Sequence, residues 1–145
     1  VDLPGQELFQ YIDEAGDRRV VDSTDVNAYL QEIGGADFTA KDYRTWAGSV
    51  LALDLLRGRT STNVTEARRQ VVEAVAAVAQ RLGNTPAVCR KCYVHPAVVD
   101  AFLAGELEAL PPTRARKGLR REEVALLYFL EHIASTKGTG EKKPA

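Results

Sequence analysis

The stretch Leu82-Gly-Asn-Thr-Pro-Ala-Val-Cys-Arg-Lys-Cys-Tyr-Val-His-Pro96 crowds a helix stop, two adjacent cations and a tyrosine into a short irregular segment. In water a phenol titrates at about pH 10 and is a weak nucleophile at neutral pH. Neighbouring cations favour its anion and also any phosphate it would attack. Arg90 and Lys91 stand immediately before Tyr93, so this chemistry is available. A plainer role fits the same residues, a half-buried Tyr closing a helix, and local chemistry by itself favours that plainer role. Cys89-x-x-Cys92-x-x-His95 has a spacing that could hold zinc or run redox chemistry. Structural zinc normally draws on a second ligand pair, and the chain has only two Cys and two His in all. Two small buried or half-buried thiols, with no metal and no cofactor, are therefore expected.

A second segment, Phe38-Thr-Ala-Lys-Asp-Tyr-Arg-Thr-Trp-Ala-Gly48, places an Arg inside an otherwise amphipathic helical pattern. On a helical wheel Arg44 falls beside Ala40, Ala47 and Leu51, at the margin of the stripe that should be buried. A guanidinium there is costly unless it is paired or addresses an anion such as a phosphate in a cleft. Asp42 is too near in sequence to face it across the helix, so a distant carboxylate and a bound phosphate both stay open. Neither a glycine-rich phosphate loop nor a Ser in a nucleophile-elbow context occurs.

Helical periodicity positions these residues. Glu7 to Ile12 reads as the end of a short helix, followed by a turn at Ala15-Gly16-Asp17. Ser23 or Thr24 should cap a helix that stops at Gly34-Gly35, and Thr39 should cap the next, roughly Ala40 to Leu56. A long helix is expected from Val64 to Leu82, where Val71, Val75, Val78 and Leu82 recur along one face and Gly83 ends the run. Pro86 to Cys92 reads as a short helix, and Pro96 as the first turn of another to about Leu103. Pro111-Pro112 breaks the pattern, Thr113 to Gly118 is basic and loop-like, and Glu122 to Ile133 forms a last amphipathic helix. Arg18 to Val21 is the sole strand candidate. The fold class is mainly α, with residues 1–134 folded and 135–145 a polar tail expected to be disordered.

The 145 residues suit one domain, 45% hydrophobic and 27% charged. The longest apolar runs are far too short to cross a bilayer, no signal peptide opens the chain, and two Cys suit a reducing cytosol. A chain that opens on Val1 and holds no Met reads as a piece of a longer protein. A net charge of −1 and a pI near 6.2 mean that DNA binding, which depends on cations displacing counterions, must rest on local charge. The cations do cluster, at Arg57 and Arg59, Arg68 and Arg69, Arg90 and Lys91, and from Arg114 to Arg121. Taken alone, such clusters more often mark solvated helix faces.

Together, the two motifs resemble the bacterial and poxvirus-type branch of the type IB DNA topoisomerases, in order and over roughly residues 3 to 107. The opening Leu3-Pro-Gly-Gln-Glu-Leu-Phe-Gln-Tyr11 and Asp25-Val-Asn-Ala-Tyr-Leu30 are similar to that family too. The resemblance implies a multi-helix C-terminal catalytic lobe of the type shared with tyrosine recombinases. It also implies roles: Tyr93 as nucleophile, Arg44 on the scissile phosphate, Asn84 on a non-bridging oxygen, and Lys41, Arg90 and Lys91 against the DNA. Tyr93 would form a 3′-phosphotyrosyl bond, let the free 5′-hydroxyl end rotate, and be displaced by that hydroxyl, relaxing double-stranded DNA without ATP or metal. The family also uses a second Arg and a general-acid Lys on a β-hairpin. Both would precede residue 1, and loss of general acid catalysis typically costs on the order of 10²–10⁴-fold. The chain alone should then be a weak enzyme, acting in its parent as a monomer in the nucleoid-bearing cytoplasm. The cysteines flanking Arg90-Lys91 depart from the family pattern.

Two rival readings come from other classes. Tyrosine recombinases share the tyrosine chemistry but usually carry His three residues before the Arg, where this chain has Lys41. A non-catalytic helical DNA-binding domain would never form a Tyr93-dependent adduct.

Overall fold

The computed structural model describes residues 7–111, 114 and 116–138, with the side chains of 109 and 134–138 left aside. The tail expected at 135–145 lies outside these residues from 139 onward, as do the start of the resembling segment at Leu3 and residues 112, 113 and 115 around the basic stretch. Among the described residues the order is β1 (Gln10–Ile12), β2 (Arg18–Val20), α1 (Ser23–Gly34), α2 (Ala40–Arg57), α3 (Val64–Leu82), α4 (Pro86–Cys92), α5 (Pro96–Leu103), a 3-10 turn at Glu106–Ala109, and α6 (Arg121–Gly138). The chain is mainly α. It divides into two compact units at Tyr43 and Arg44, within α2.

In the first unit, the helix end expected at Glu7 to Ile12 is instead a strand. β1 pairs antiparallel with β2, Tyr11 opposite Arg19. The turn chemistry decides this. The Asp13 carboxylate accepts from the backbone N–H groups of Ala15 and Asp17 at 3.0 and 2.9 Å, and Gly16 takes a left-handed φ of 85°. Such an Asx-type turn folds the chain back on itself and outweighs helical periodicity over six residues. The N-cap of α1 is Asp22, one residue earlier than expected, in a reciprocal capping box with Asp25. Gly35, at φ 66°, closes that helix. α1 buries none of its residues.

The second unit holds the core. α2 contributes Val50, Leu53 and Leu56; α3 contributes Val71, Ala74, Val75 and Val78; α5 contributes Val98, Val99 and Phe102; α6 contributes Leu126 and Phe129. Asn63 caps the start of α3, its side chain accepting from Glu66 N–H at 2.9 Å. At the far end Gly83 (φ 66°) and Asn84 return their N–H groups to the carbonyls of Gln80 and Ala79. That pairing is a Schellman motif, which satisfies carbonyls the helix itself leaves orphaned. Pro86 then starts α4 and Pro96 starts α5, each in a first turn where a missing N–H costs nothing. α6 runs to Gly138, five residues past the end expected at Ile133.

Truncating Leu53, fully buried at 0% exposure, to Ala should lower unfolding free energy by about 2–5 kcal/mol in urea denaturation. Val72→Ala, on the 62% exposed side of α3, should change it by less than about 0.5 kcal/mol beyond its propensity effect. Equal destabilisation at the two positions would refute this placement of the core.

Candidate active site: α2 grips the Tyr93 segment

The short helix α4 delivers Tyr93. Thr85 caps it, and it ends where Tyr93 N–H and Val94 N–H both donate to the Cys89 carbonyl, at 2.9 and 3.0 Å. Two residues on, the His95 ring nitrogen Nδ1 accepts from Ala97 N–H at 3.2 Å and caps α5. Tyr93 thus sits in the link between two helices whose ends are both fixed. Its side chain is half-buried against the core.

One face of α2 holds that link. Thr45 Oγ1 donates to the Cys92 carbonyl at 3.3 Å, and buried Ser49 Oγ accepts from His95 N–H at 2.9 Å. Between them Gly48 lies against the backbone of Tyr93. A Cβ built on Gly48 would overlap the Tyr93 carbonyl oxygen and stand 3.1 Å from its carbon and 3.3 Å from Leu82 Cδ1. Only a residue without a side chain permits this approach, although Gly inside a helix costs about 0.5–1 kcal/mol relative to Ala. Positions 44, 45, 48 and 49 recur at the spacing of one helical face, so a single rigid element touches Cys92, Tyr93 and His95.

Arg44 completes the cluster. Its guanidinium lies over the Tyr93 ring, 4.9 Å from the ring centroid, and Nη2 donates to the Leu82 carbonyl at 2.7 Å. Asn84 Nδ2 donates to that same carbonyl at 3.2 Å. The two side chains therefore converge on one acceptor, a C-terminal carbonyl of α3. Among the described residues no carboxylate pairs with Arg44, so of the two options left by the sequence, the distant carboxylate is not the one found. A carbonyl and an aromatic face hold the charge instead, and both are weaker partners than a phosphate.

Arg90 and Lys91 are exposed in the last turn of α4. Lys41 is exposed in the first turn of α2, on the other side of the division at Tyr43 and Arg44. Cys89 is fully buried; burial pushes its thiol up, and the charge of Arg44 opposes that shift. Cys92 is half-buried and His95 is exposed, its Nδ1 already engaged at the α5 cap. Sequence reasoning missed Gly48, Ser49, Thr45 and the Leu82 carbonyl. A Gly in mid-helix was the one available signal among them, since such a residue usually marks a close approach.

Gly48→Ala is a direct probe of the grip. In an open helix this change stabilises, but here it should destabilise by about 1–3 kcal/mol, because the Tyr93 backbone must move. Gly58→Ala, with nothing within 4 Å of the added Cβ, should lie within about 0.5 kcal/mol of the parent. A neutral or stabilising Gly48→Ala in denaturant titration would show that the packing there is loose.

Residues 2–110 match the family described as eukaryotic DNA topoisomerase I, catalytic core. A DNA topoisomerase 1B of Acanthamoeba polyphaga mimivirus is 37% identical over 108 residues, covering 69% of this chain. The matched part spans 32% of that viral relative. Both motifs, with Arg44, Asn84 and Tyr93, fall inside the matched family region, and the chain belongs to the type IB DNA topoisomerase family.

Proposed function

We propose that this chain carries the nucleophile and two phosphate-binding side chains of a DNA strand-breaking and rejoining site, with Tyr93 as the attacking group. The observation that carries the reading is the convergence of Arg44 and Asn84 on one acceptor while Arg44 covers the Tyr93 ring. A non-bridging oxygen of a phosphodiester is a stronger acceptor than the Leu82 carbonyl, so a bound phosphate can draw both donors to itself.

Tyr93 Oη then loses its proton to water and attacks phosphorus, the P–O5′ bond breaks in line, and the 5′-oxygen departs and takes up a proton from water or from a general acid elsewhere in the parent protein. The product is a 3′-phosphotyrosyl ester and a free 5′-hydroxyl. Attack by that hydroxyl restores the phosphodiester and releases Tyr93, so the bond energy is kept and no nucleotide is consumed. Between the two steps the free end can rotate and release supercoils. Charge grows on the equatorial oxygens at pentacoordinate phosphorus, and fixed donors stabilise it there without reorganisation. Exposed Lys41, Arg90 and Lys91 supply non-specific attraction for the DNA backbone.

Arg44 also caps the end of α3, and a purely structural Arg would show up in stability rather than in rate. In the full-length protein, Arg44→Ala should slow single-turnover cleavage by on the order of 10²–10³-fold. Its DNA dissociation constant should stay within a few-fold of the parent, and plasmid relaxation should fail without any site-specific exchange. Parallel falls in binding and cleavage, or a collapse of melting temperature that accounts for both, would remove Arg44 from the chemistry. Site-specific strand exchange by the parent protein would indicate a recombinase.

A further inference from the structure

The family match ends at residue 110, yet the segment beyond it is tied closely to the site-bearing unit. α6 buries Ala125, Leu126 and Phe129 in the shared core. Arg57 Nη2 donates to the Pro111 carbonyl at 2.8 Å, and Trp46 Nε1 donates to Glu123 Oε1 at 3.4 Å, two residues along α2 from Arg44. Glu123 Oε2 also accepts from Arg120 N–H at 2.8 Å, and the Arg120 side chain, 3.2 Å away, holds that carboxyl below its ordinary range. The entry to α6 is therefore clamped to α2.

This clamped segment is the most cationic in the chain. Residues 111–121 contain Arg114, Arg116, Lys117, Arg120 and Arg121 and no acidic residue, in a protein whose net charge is −1. Arg116 and Leu119 form an isolated bridge around Gly118 (φ 84°), which shapes the turn that presents Lys117. Arg116 and Lys117 are exposed, and among the described residues neither has an ion-pair partner.

A cleft of about 330 Å³ is lined by Ala47, Leu51 and Asp54 of α2, by Arg81 and Leu82 from the end of α3, by Arg120 just before α6 and by Glu122 in its first turn. Ala47, Leu51 and Asp54 continue the stripe of α2 that begins at Arg44, at helical spacings of three and four. Leu82 lines the cleft and its carbonyl holds Arg44. Arg81 is exposed, and among the described residues it has no ion-pair partner either. Asp54 and Glu122 put negative charge in the cleft itself, so an anion is better met by cations beside it, Arg81 in its lining and Arg116 and Lys117 on the turn that leads to Arg120.

We infer that these cations form a second DNA-binding surface, in which Arg81, Arg116 and Lys117 bind backbone phosphates of the strand that leads away from the phosphate at Arg44. The inference rests on the DNA-cleaving function proposed for this chain. Exposed cations without a carboxylate partner are the ones whose binding releases counterions, and Arg81 directly precedes Leu82, whose carbonyl holds Arg44. Phosphate binding of this kind involves no base readout, so it contributes affinity and positioning without sequence preference.

The test is the salt dependence of equilibrium binding to duplex DNA, measured with full-length protein carrying Tyr93→Phe so that no covalent adduct forms. Removing one cation that neutralises a phosphate should flatten the slope of log K against log salt by about 0.9. The triple variant R81Q/R116Q/K117Q should therefore flatten it by about 2 to 3 and weaken binding at low salt by more than about tenfold. Each single substitution should flatten it by about one. R68Q/R69Q, which removes cations from the N-terminal part of α3, should leave the slope unchanged. A triple variant with the parent slope would overturn the inference, as would an equal change in the R68Q/R69Q control, which would reduce the effect to net charge. The same triple substitution in a background with Tyr93 intact keeps the two readings apart. Normal adduct formation with an unchanged slope sinks only this second surface, whereas no Tyr93-dependent adduct in the parent sinks the cleavage reading itself.

Discussion

The site proposed for this chain depends on how closely the backbone at Tyr93 approaches α2. The approach is set by the absence of a side chain at Gly48, and the hydrogen bonds of Thr45 and Ser49 to either side of it come from the same helical face. Held in this way, a residue in a short interhelical link acquires the positional definition of a helix. The proposed nucleophile gains from this, because reaction in line demands the oxygen in one place relative to phosphorus, and a reacting geometry prepared in advance is worth several kcal/mol of barrier.

The second constraint is electrostatic. Arg44 occupies the edge of the buried stripe of α2, where a bare guanidinium would be expensive. The structure meets that cost with a helix-terminal carbonyl and an aromatic face rather than with a carboxylate. A carboxylate would neutralise the charge and repel a phosphate; a carbonyl does neither. The Schellman closure of α3 places Asn84 on that same carbonyl, so a single helix end organises both donors. Folding and chemistry share these groups: the residues that finish α3 also face the site.

Much of this architecture was legible in the sequence because its punctuation is strong. Gly83, Pro86 and Pro96 fix where α3 ends and α4 and α5 begin, and the Val71, Val75, Val78 stripe marks the buried side of α3. The turn at Gly16 and the strand at Arg18–Val20 lie where the sequence puts them, but β1 reads as a helix end because it is three residues long and the Asp13 turn that pairs it acts through side-chain hydrogen bonds, which periodicity does not register. The α1 cap moved by one residue for a similar reason, since Asp22, Ser23 and Thr24 can all cap and only the reciprocal bond with Asp25 selects Asp22. Arg44 and Tyr93 stood out as residue types, but their stacking joins positions far apart in the chain. Ser49 and Thr45 carry no signal at all in sequence: a hydroxyl on a helix is ordinary until its tertiary partner is known.

The central claim is that Tyr93, and no other tyrosine, bonds to DNA. Full-length protein incubated with a duplex, quenched in denaturant and digested with protease should yield one DNA-linked peptide. Mass spectrometry should place the 3′-phosphate on Tyr93, and Tyr93→Phe should bind DNA yet leave no linked peptide. A linkage mapped to Tyr11, Tyr29, Tyr43 or Tyr128, or an adduct that survives Tyr93→Phe, would contradict the account.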